Sequence, residues 1–209
     1  MNIVFADDSL LVLNKPAGLL AVPGRGAEKQ DCLSTRVQAL YPDALVVHRL
    51  DMATSGLMLM ARGAAMQRAV SRLFETRQID KTYVAVVAGC LPVDAVWQTI
   101  DQPIWADWGA RPLRRVDPRG QASQTRWRCV EQLDGEMPAS RVELQALTGR
   151  SHQLRVHLQN LGHPILGDAL YAPPDLAERA PRLLLHARSL AFVHPLTGAA
   201  LDFTAQAAF

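Results

Sequence analysis

Cysteine is scarce in this chain, long apolar runs are missing, and neither sign of charge dominates. Cys32, Cys90 and Cys129 are odd in number, far apart and form no C-x-x-C pair, so they point away from a disulfide framework or a zinc site and fit a reducing cytoplasm. No apolar stretch approaches the ~20 residues that cross a bilayer. Residues 1–8 lack the basic start and apolar centre of a signal peptide. The balance of 22 Lys and Arg against 20 Asp and Glu, a net charge of +2, neither demands nor excludes a nucleic-acid partner. Several site patterns are also missing. Gly24-x-Gly26 has no third glycine at the required place, and Pro23 breaks the preceding strand, so it is no dinucleotide fingerprint. Ser55 has no G-x-S-x-G context, and no second acid stands in a motif that would make Asp51 half of a glycosidase pair. His152 and His157 are five apart, share a helix face poorly and have no acid between them. The sequence therefore predicts no metal and no cofactor.

What is present reads as an ordinary globular protein. A chain of 209 residues with 49% apolar and 20% charged content makes one large domain or two small ones. At that size folding buries roughly 70% of the unfolded surface. Residues 3–14 read as a hairpin around Asp7-Asp8-Ser9, and Asp31 to Leu40 as a helix capped by Asp31, with Leu33, Val37 and Leu40 on one face. Leu57 to Met60 reads as a strand. Gly63 to Gln78 reads as a helix with Met66, Val70, Leu73 and Phe74 buried, and Arg68, Arg72 and Arg77 on it. Tyr83 to Val87 is an apolar strand, and residues 91–120 form an irregular excursion marked by proline, glycine and tryptophan. Within it Arg111, Arg114, Arg115 and Arg119 cluster; such a cluster is more often solvated surface than a phosphate site. Ser123 to Val130 and Arg141 to Leu147 alternate like half-exposed strands. Ser151 to Asn160 reads as a helix with Leu154, Leu158 and Leu161 inward, and Arg182 to Phe203 gives two or three strands around residues 195–198. Helices and strands do not alternate regularly, so the expected class is α+β with a largely antiparallel sheet.

The most informative stretch is His48-Arg49-Leu50-Asp51-Met52-Ala53-Thr54-Ser55-Gly56, set between the apolar runs Ala44-Leu45-Val46-Val47 and Leu57 to Met60. A turn between two strand-like runs lets polar side chains stand at the rim of a sheet. There a carboxylate, Asp51, neighbours the guanidinium of Arg49 and the imidazole of His48. A lone acid in a basic neighbourhood stays ionised, which suits a nucleophile or a base. In isolation an aspartate at a turn is more often a turn former, a tyrosine in a strand such as Tyr83 a core aromatic, and Arg150 a surface residue.

The stretch closely resembles the H-R-L-D-x-x-T-S-G signature of the RluA-type pseudouridine synthases. Lys81-Thr82-Tyr83, then Thr148 to His157 (T-G-R-S-H-Q-L-R-V-H), then Arg182-Leu183-Leu184-Leu185-His186-Ala187 follow in family order. Leu13-Asn14-Lys15-Pro16-Ala17-Gly18-Leu19 and Gly162-His163-Pro164-Ile165-Leu166-Gly167-Asp168 look like further family landmarks, so the resemblance runs from about residue 3 to the C-terminus. The chain looks most similar to the short members that act on a tRNA anticodon loop and a 23S rRNA loop.

The resemblance implies one catalytic domain over residues 1–209 with no separate N-terminal RNA-binding domain, and one mixed sheet bifurcated by a catalytic cleft. It implies isomerisation of uridine to pseudouridine in structured RNA by a cytoplasmic monomer that needs no metal. Asp51 would be the catalytic aspartate, either nucleophile or base on the sugar. Tyr83 would be the active-site tyrosine and Arg150 the arginine that pairs with Asp51. Arg49 would fill the stack left by the flipped base, with help from His48. Thr54 belongs to the same substrate-binding motif. Lys81, Arg155 and the Arg111 to Arg119 cluster would reach the RNA backbone, and Leu184 and Leu185 would wall the pocket against water. Two rivals are an RNA-binding module that has kept only the fold, which an intact Asp51, Tyr83 and Arg150 oppose, and a metal-dependent hydrolase using His152, His157 and Asp168.

Overall fold

A computed structural model describes residues 2–106, 109–135 and 137–209. The chain divides into two compact units, one made of Met1–Lys81 with His186–Ala208, the other of Thr82–Leu185 with Phe209.

The first unit starts with the expected hairpin, β1 (Asn2–Ala6) and β2 (Leu10–Lys15). Asp7 closes its turn by accepting the N–H groups of Ser9 and Leu10 at 2.7 and 2.6 Å. Helix α1 (Leu33–Gln38) is capped by Cys32, whose sulfur accepts from the Thr35 N–H, and not by Asp31. The Asp31 carboxylate is taken by the Arg36 guanidinium in an exposed pair at 2.7 Å. Leu40 lies beyond the end of α1 and is exposed, unlike Leu33 and Val37. Strand β3 (Ala44–Val46) pairs with β4 (Ser55–Arg62), and α2 (Ala64–Glu75) follows. Arg77, with φ 58°, has left the helical conformation, so α2 ends short of the expected Gln78.

The second unit contains most of β5 (Asp80–Ala88), then β6 (Gln98–Asp101), β7 (Ile104–Trp105), β8 (Arg115–Val116), β9 (Gln124–Leu133), β10 (Ala139–Ala146), α3 (Gln153–Asn160) and α4 (Pro174–Ala177). The stretch expected to be irregular thus holds three short strands. Of that stretch, Asp107 and Trp108 lie outside the described residues. Strands of two to four residues show no period of their own. β6 is held by pairing with Thr125 to Trp127 and Gln124 on β9, far along the chain. Helix α3 starts at Gln153 because His152 is left-handed at φ 58°, and Leu161 caps its far end, 40% exposed rather than inward. The chain then returns to the first unit as β11 (Leu185–Val193) and β12 (Ala200–Thr204).

In the first unit β1, β2, β4 and β11 lie in that order, with β3 also on β4 and β12 on β11; only β4 and β11 run parallel. Leu57, Leu59 and Ala61 of β4 join Leu10, Val12, Met66 and Val70 in a core under α2. Met58 and Met60 on the opposite face are fully buried too, which makes β4 a central strand. In the second unit β5, β10, β9 and β6 form an antiparallel order, and β7 pairs with β8 apart from it. The mixed, mainly antiparallel α+β architecture is the one the sequence predicts.

Candidate functional site

The loop that carries Asp51 is built from the backbone outward. Lys15, the last residue of β2, is fully buried, and its ammonium donates to the carbonyls of Pro16, Leu19 and Met52 at 3.0, 2.7 and 3.0 Å. Three acceptors satisfy all three donors of the ammonium, as burial requires. Burial pushes the Lys15 pKa down to about 8, and the Asp51 carboxylate opposes that shift. Gly18, at φ 83°, donates its N–H to the same Met52 carbonyl at 2.9 Å. The Asp51 carbonyl accepts the Thr54 N–H at 3.1 Å and closes the turn. The landmark residues Lys15 to Leu19 therefore clamp the loop one residue past the carboxylate.

The end of the nine-residue stretch faces β11. The Ser55 hydroxyl and His186 Nδ1 are hydrogen-bonded at 2.9 Å, and His186 Nε2 meets the Ala205 carbonyl at 3.1 Å. Gly56, at φ 113°, is paired with Ala187, and a Cβ there would lie 2.3 Å from the Ala187 oxygen. Only glycine permits that approach.

The other members of the stretch differ in their surroundings. Arg49 is exposed, and among the described residues nothing hydrogen-bonds or pairs with its guanidinium. Thr54 is buried, which opposes direct contact with RNA. His48 Nε2 accepts the Leu59 N–H at 2.8 Å, and the ring packs on Phe74 with centroids 4.5 Å apart. The ring keeps some surface exposure but is densely surrounded. Desolvation, reinforced by the Lys81 ammonium, pushes its pKa down to about 3, so the imidazole is neutral at physiological pH. Lys81 lies over the other partner in this group, the Phe74 ring, at 5.5 Å, and burial lowers its pKa.

The second unit places Tyr83 on β5 opposite Leu144 of β10, partly buried. The Leu184 N–H donates to Leu166 and its carbonyl accepts from Val86, while Leu185 is buried. The turn of the Thr148 to His157 motif is stapled by Gln153, whose side-chain oxygen accepts from the Thr148 hydroxyl and the Arg150 N–H at 2.7 and 3.1 Å. Its amide donates to the Gln124 carbonyl and the Thr125 hydroxyl on β9.

The two arginines of that motif have opposite surroundings. Arg150 is exposed, with Nε donating to the Ala122 carbonyl at 3.3 Å. Arg155, expected at the RNA backbone, is 4% exposed and forms a two-bond pair at 2.8 and 2.6 Å with Asp168, itself 1% exposed. A guanidinium committed in that way is poorly placed to reach a phosphate from solvent. His152 and His157 diverge as the spacing predicts: His152 is hydrogen-bonded to the Tyr171 hydroxyl, His157 to Thr125 and the Gln102 carbonyl. Among the described residues no three His, Cys, Asp or Glu side chains gather as metal ligands, and no helix is long and apolar enough to cross a membrane.

The sequence reading missed the Lys15 clamp, the Ser55–His186 link and the Arg155–Asp168 pair. A lysine closing an apolar run just before Pro16 was the available sign of the first. The other two join residues 131 and 13 apart with no local signal.

A family profile described as RNA pseudouridylate synthase matches residues 9–160. The dual-specificity RNA pseudouridine synthase RluA of Escherichia coli is 46% identical over 209 residues, covering 99% of this chain and 93% of that protein. RluA of Yersinia pestis is 44% identical over 210 residues and covers 100% of both. Among solved structures, human RNA pseudouridylate synthase domain containing 1 superposes with a TM-score of 0.80 at 28% identity, covering 98% of this chain and 82% of that one.

Proposed function

The chain belongs to the RNA pseudouridylate synthase family and is an isomerase acting on RNA; from that premise we propose that its targets are uridines in a 23S rRNA loop, a tRNA anticodon stem-loop, or both. The dual specificity of its RluA relatives supports two RNA classes. The reaction detaches uracil from the sugar, turns it and rejoins it through carbon; it needs no electron acceptor, so we propose neither cofactor nor metal. Three free cysteines suit a cytoplasmic enzyme, and a monomer suffices for the chemistry.

The observation that carries the site reading is the clamped loop of Asp51. A carboxylate that starts a reaction must be held still, and here the Lys15 ammonium and Gly18 both fix the adjacent Met52 carbonyl. Arg49, exposed two residues before, is the side chain that fills the stack when the target base leaves it. Tyr83 supports the uracil by stacking, and its hydroxyl serves removal of the C5 proton. Leu184 and Leu185 keep water from the detached base.

Burial changes the part we give one of the two motif arginines. Arg150, exposed, stays the arginine we assign to Asp51, and Arg155, buried and fixed by Asp168, is no longer assigned to the RNA backbone. His48 and Thr54 shape the loop, and burial, with a smaller push from Lys81, keeps His48 neutral.

The test is direct. Wild-type enzyme and Asp51→Asn are incubated with rRNA and tRNA stem-loop transcripts, pseudouridine is mapped, and affinity is measured on the same RNA. The asparagine variant should bind nearly as well, since affinity comes mainly from phosphates, and form no product. Substantial turnover by Asp51→Asn would remove Asp51 from the chemistry.

A further inference from the structure

A second feature of the Thr82–Leu185 unit gives the arginine cluster a definite shape. A cavity of about 410 Å³ is lined by Trp105, Arg114, Arg119, Gln121, Arg150 and Ser151. Three guanidinium groups and an indole around one space is an unusual lining, since like charges are normally spread over a surface. The walls are held by their own contacts. Ile104 and Gln121 exchange two backbone hydrogen bonds at 2.9 Å. Gly120 allows this closeness, because a Cβ there would lie 2.3 Å from the Ile104 carbonyl carbon. Asp117 accepts two bonds from Arg119 at 2.9 and 2.7 Å and pairs with Arg115 at 3.4 Å. The arginines beside it hold its carboxyl well below the usual carboxylate range. Arg119 in turn lies over the Trp105 ring at 5.3 Å. The Arg114 backbone N–H donates to the Tyr171 hydroxyl at 3.0 Å, and the same hydroxyl bonds His152 at 2.6 Å. The Arg155 guanidinium covers the Tyr171 ring at 5.0 Å while gripping Asp168. The arginine loop is thus fastened to the motif helix α3 through Tyr171.

We infer that this cavity is a subsite for one unpaired nucleotide of the substrate RNA other than the target uridine, with its phosphate at Arg114 and Arg119 and its base stacked on Trp105. The inference rests on the RNA-modifying reading above and adds where a second nucleotide is held. The volume suits one nucleotide and the lining supplies both halves of its recognition. Guanidinium forks match phosphate oxygens, and an indole or a guanidinium plane offers a stacking surface to any base. Gln121 and Ser151 add polar groups that could read a base edge. The subsite selects RNA that offers a second unstacked nucleotide besides the target, as in a tight loop.

The experiment uses the full chain and a stem-loop carrying the target uridine, and its variants are Trp105→Leu, Arg114→Gln and Arg119→Gln. Each protein is first melted, and a variant is kept only if its Tm matches wild type. Filter binding over a range of salt and single-turnover assays follow. Arg114→Gln and Arg119→Gln should raise the apparent Kd roughly ten-fold, leave the saturating rate unchanged and lower the salt slope by about one. Abasic substitution is then walked through the loop. At one loop position other than the target, removing the base should abolish the difference between Trp105→Leu and wild type. Equal affinities and salt slopes for all variants would overturn the subsite. So would a Trp105→Leu defect that persists at every abasic position. Because binding is measured apart from product, a wild-type enzyme that binds but forms no pseudouridine would overturn the catalytic reading, while the abasic walk still decides the subsite.

Discussion

The Lys15 ammonium donates to the Met52 carbonyl at 3.0 Å, joining the end of β2 to the residue that follows Asp51. The bond explains why a lysine stands fully buried at the end of an apolar strand. Its two other acceptors, Pro16 and Leu19, lie in the same short segment, so one charge organises two loops at once.

Lys15→Met should therefore strip three buried carbonyls of their donor. Each such loss costs about 1–3 kcal/mol, so the variant should lose roughly 3 kcal/mol or more at pH 7. The pH dependence has a definite sign. The folded pKa of about 8 lies below the ordinary 10.5, so between these values the unfolded chain holds a proton that the folded chain has released. Stability contributed by Lys15 rises with pH across that window. Urea titrations at pH 7 and pH 10 should show the gap between wild type and Lys15→Met widening; a constant gap would mean that Lys15 is not the titrating group.

His48 works in the opposite pH range. Its folded pKa of about 3 lies below the ordinary 6.5, so the stability it contributes is complete above pH 6.5 and is lost as pH falls toward 3. His48→Gln, which keeps an acceptor for the Leu59 N–H, should lose less stability than wild type between pH 7 and pH 4.5. Denaturation midpoints at the two pH values check this. An NMR titration of the His48 ring with a midpoint near 6.5 would refute the neutral assignment.

Arg49→Ala should impair modification of a folded stem-loop by roughly ten-fold more than that of an unstructured oligonucleotide with the same uridine. Extruding a stacked base costs a few kcal/mol, and a single strand has little of that cost to recover. Parallel kcat/KM measurements decide it. Equal losses on both RNAs would move Arg49 into the chemistry or the fold.

Tyr83→Phe keeps the ring and removes the hydroxyl. If the hydroxyl assists loss of the C5 proton, the saturating single-turnover rate should fall by roughly 10²–10⁴-fold while RNA affinity and Tm stay near wild type. A near-normal rate would leave Tyr83 as a stacking platform alone.

Much of this was legible in the sequence because it is local. The nine-residue stretch between two apolar runs announced a turn at the rim of a sheet, and alternation in Ser123 to Val130 and Arg141 to Leu147 announced the strands found as β9 and β10. Elements that depend on distant partners were not legible. Cys32 replaces Asp31 as a cap because Arg36 competes for the carboxylate. β6 exists through β9, and β7 and β8 through each other. Arg155, which the resemblance sends to the RNA backbone, is buried against Asp168, a partner that no local pattern marks.

Gly56 gives the catalytic signature a mechanical half. A methyl group at that position would push β4 and β11 apart where Ser55 meets His186. The Thr54-Ser55-Gly56 end of the stretch thus acts as a dowel that pegs one strand to another, while the proposed reagent, Asp51, sits five residues before the glycine. A change at either end would abolish turnover, but only the glycine change should be traceable as a lowered melting temperature; damage to the signature has two distinguishable meanings, a missing tool or a loosened vice.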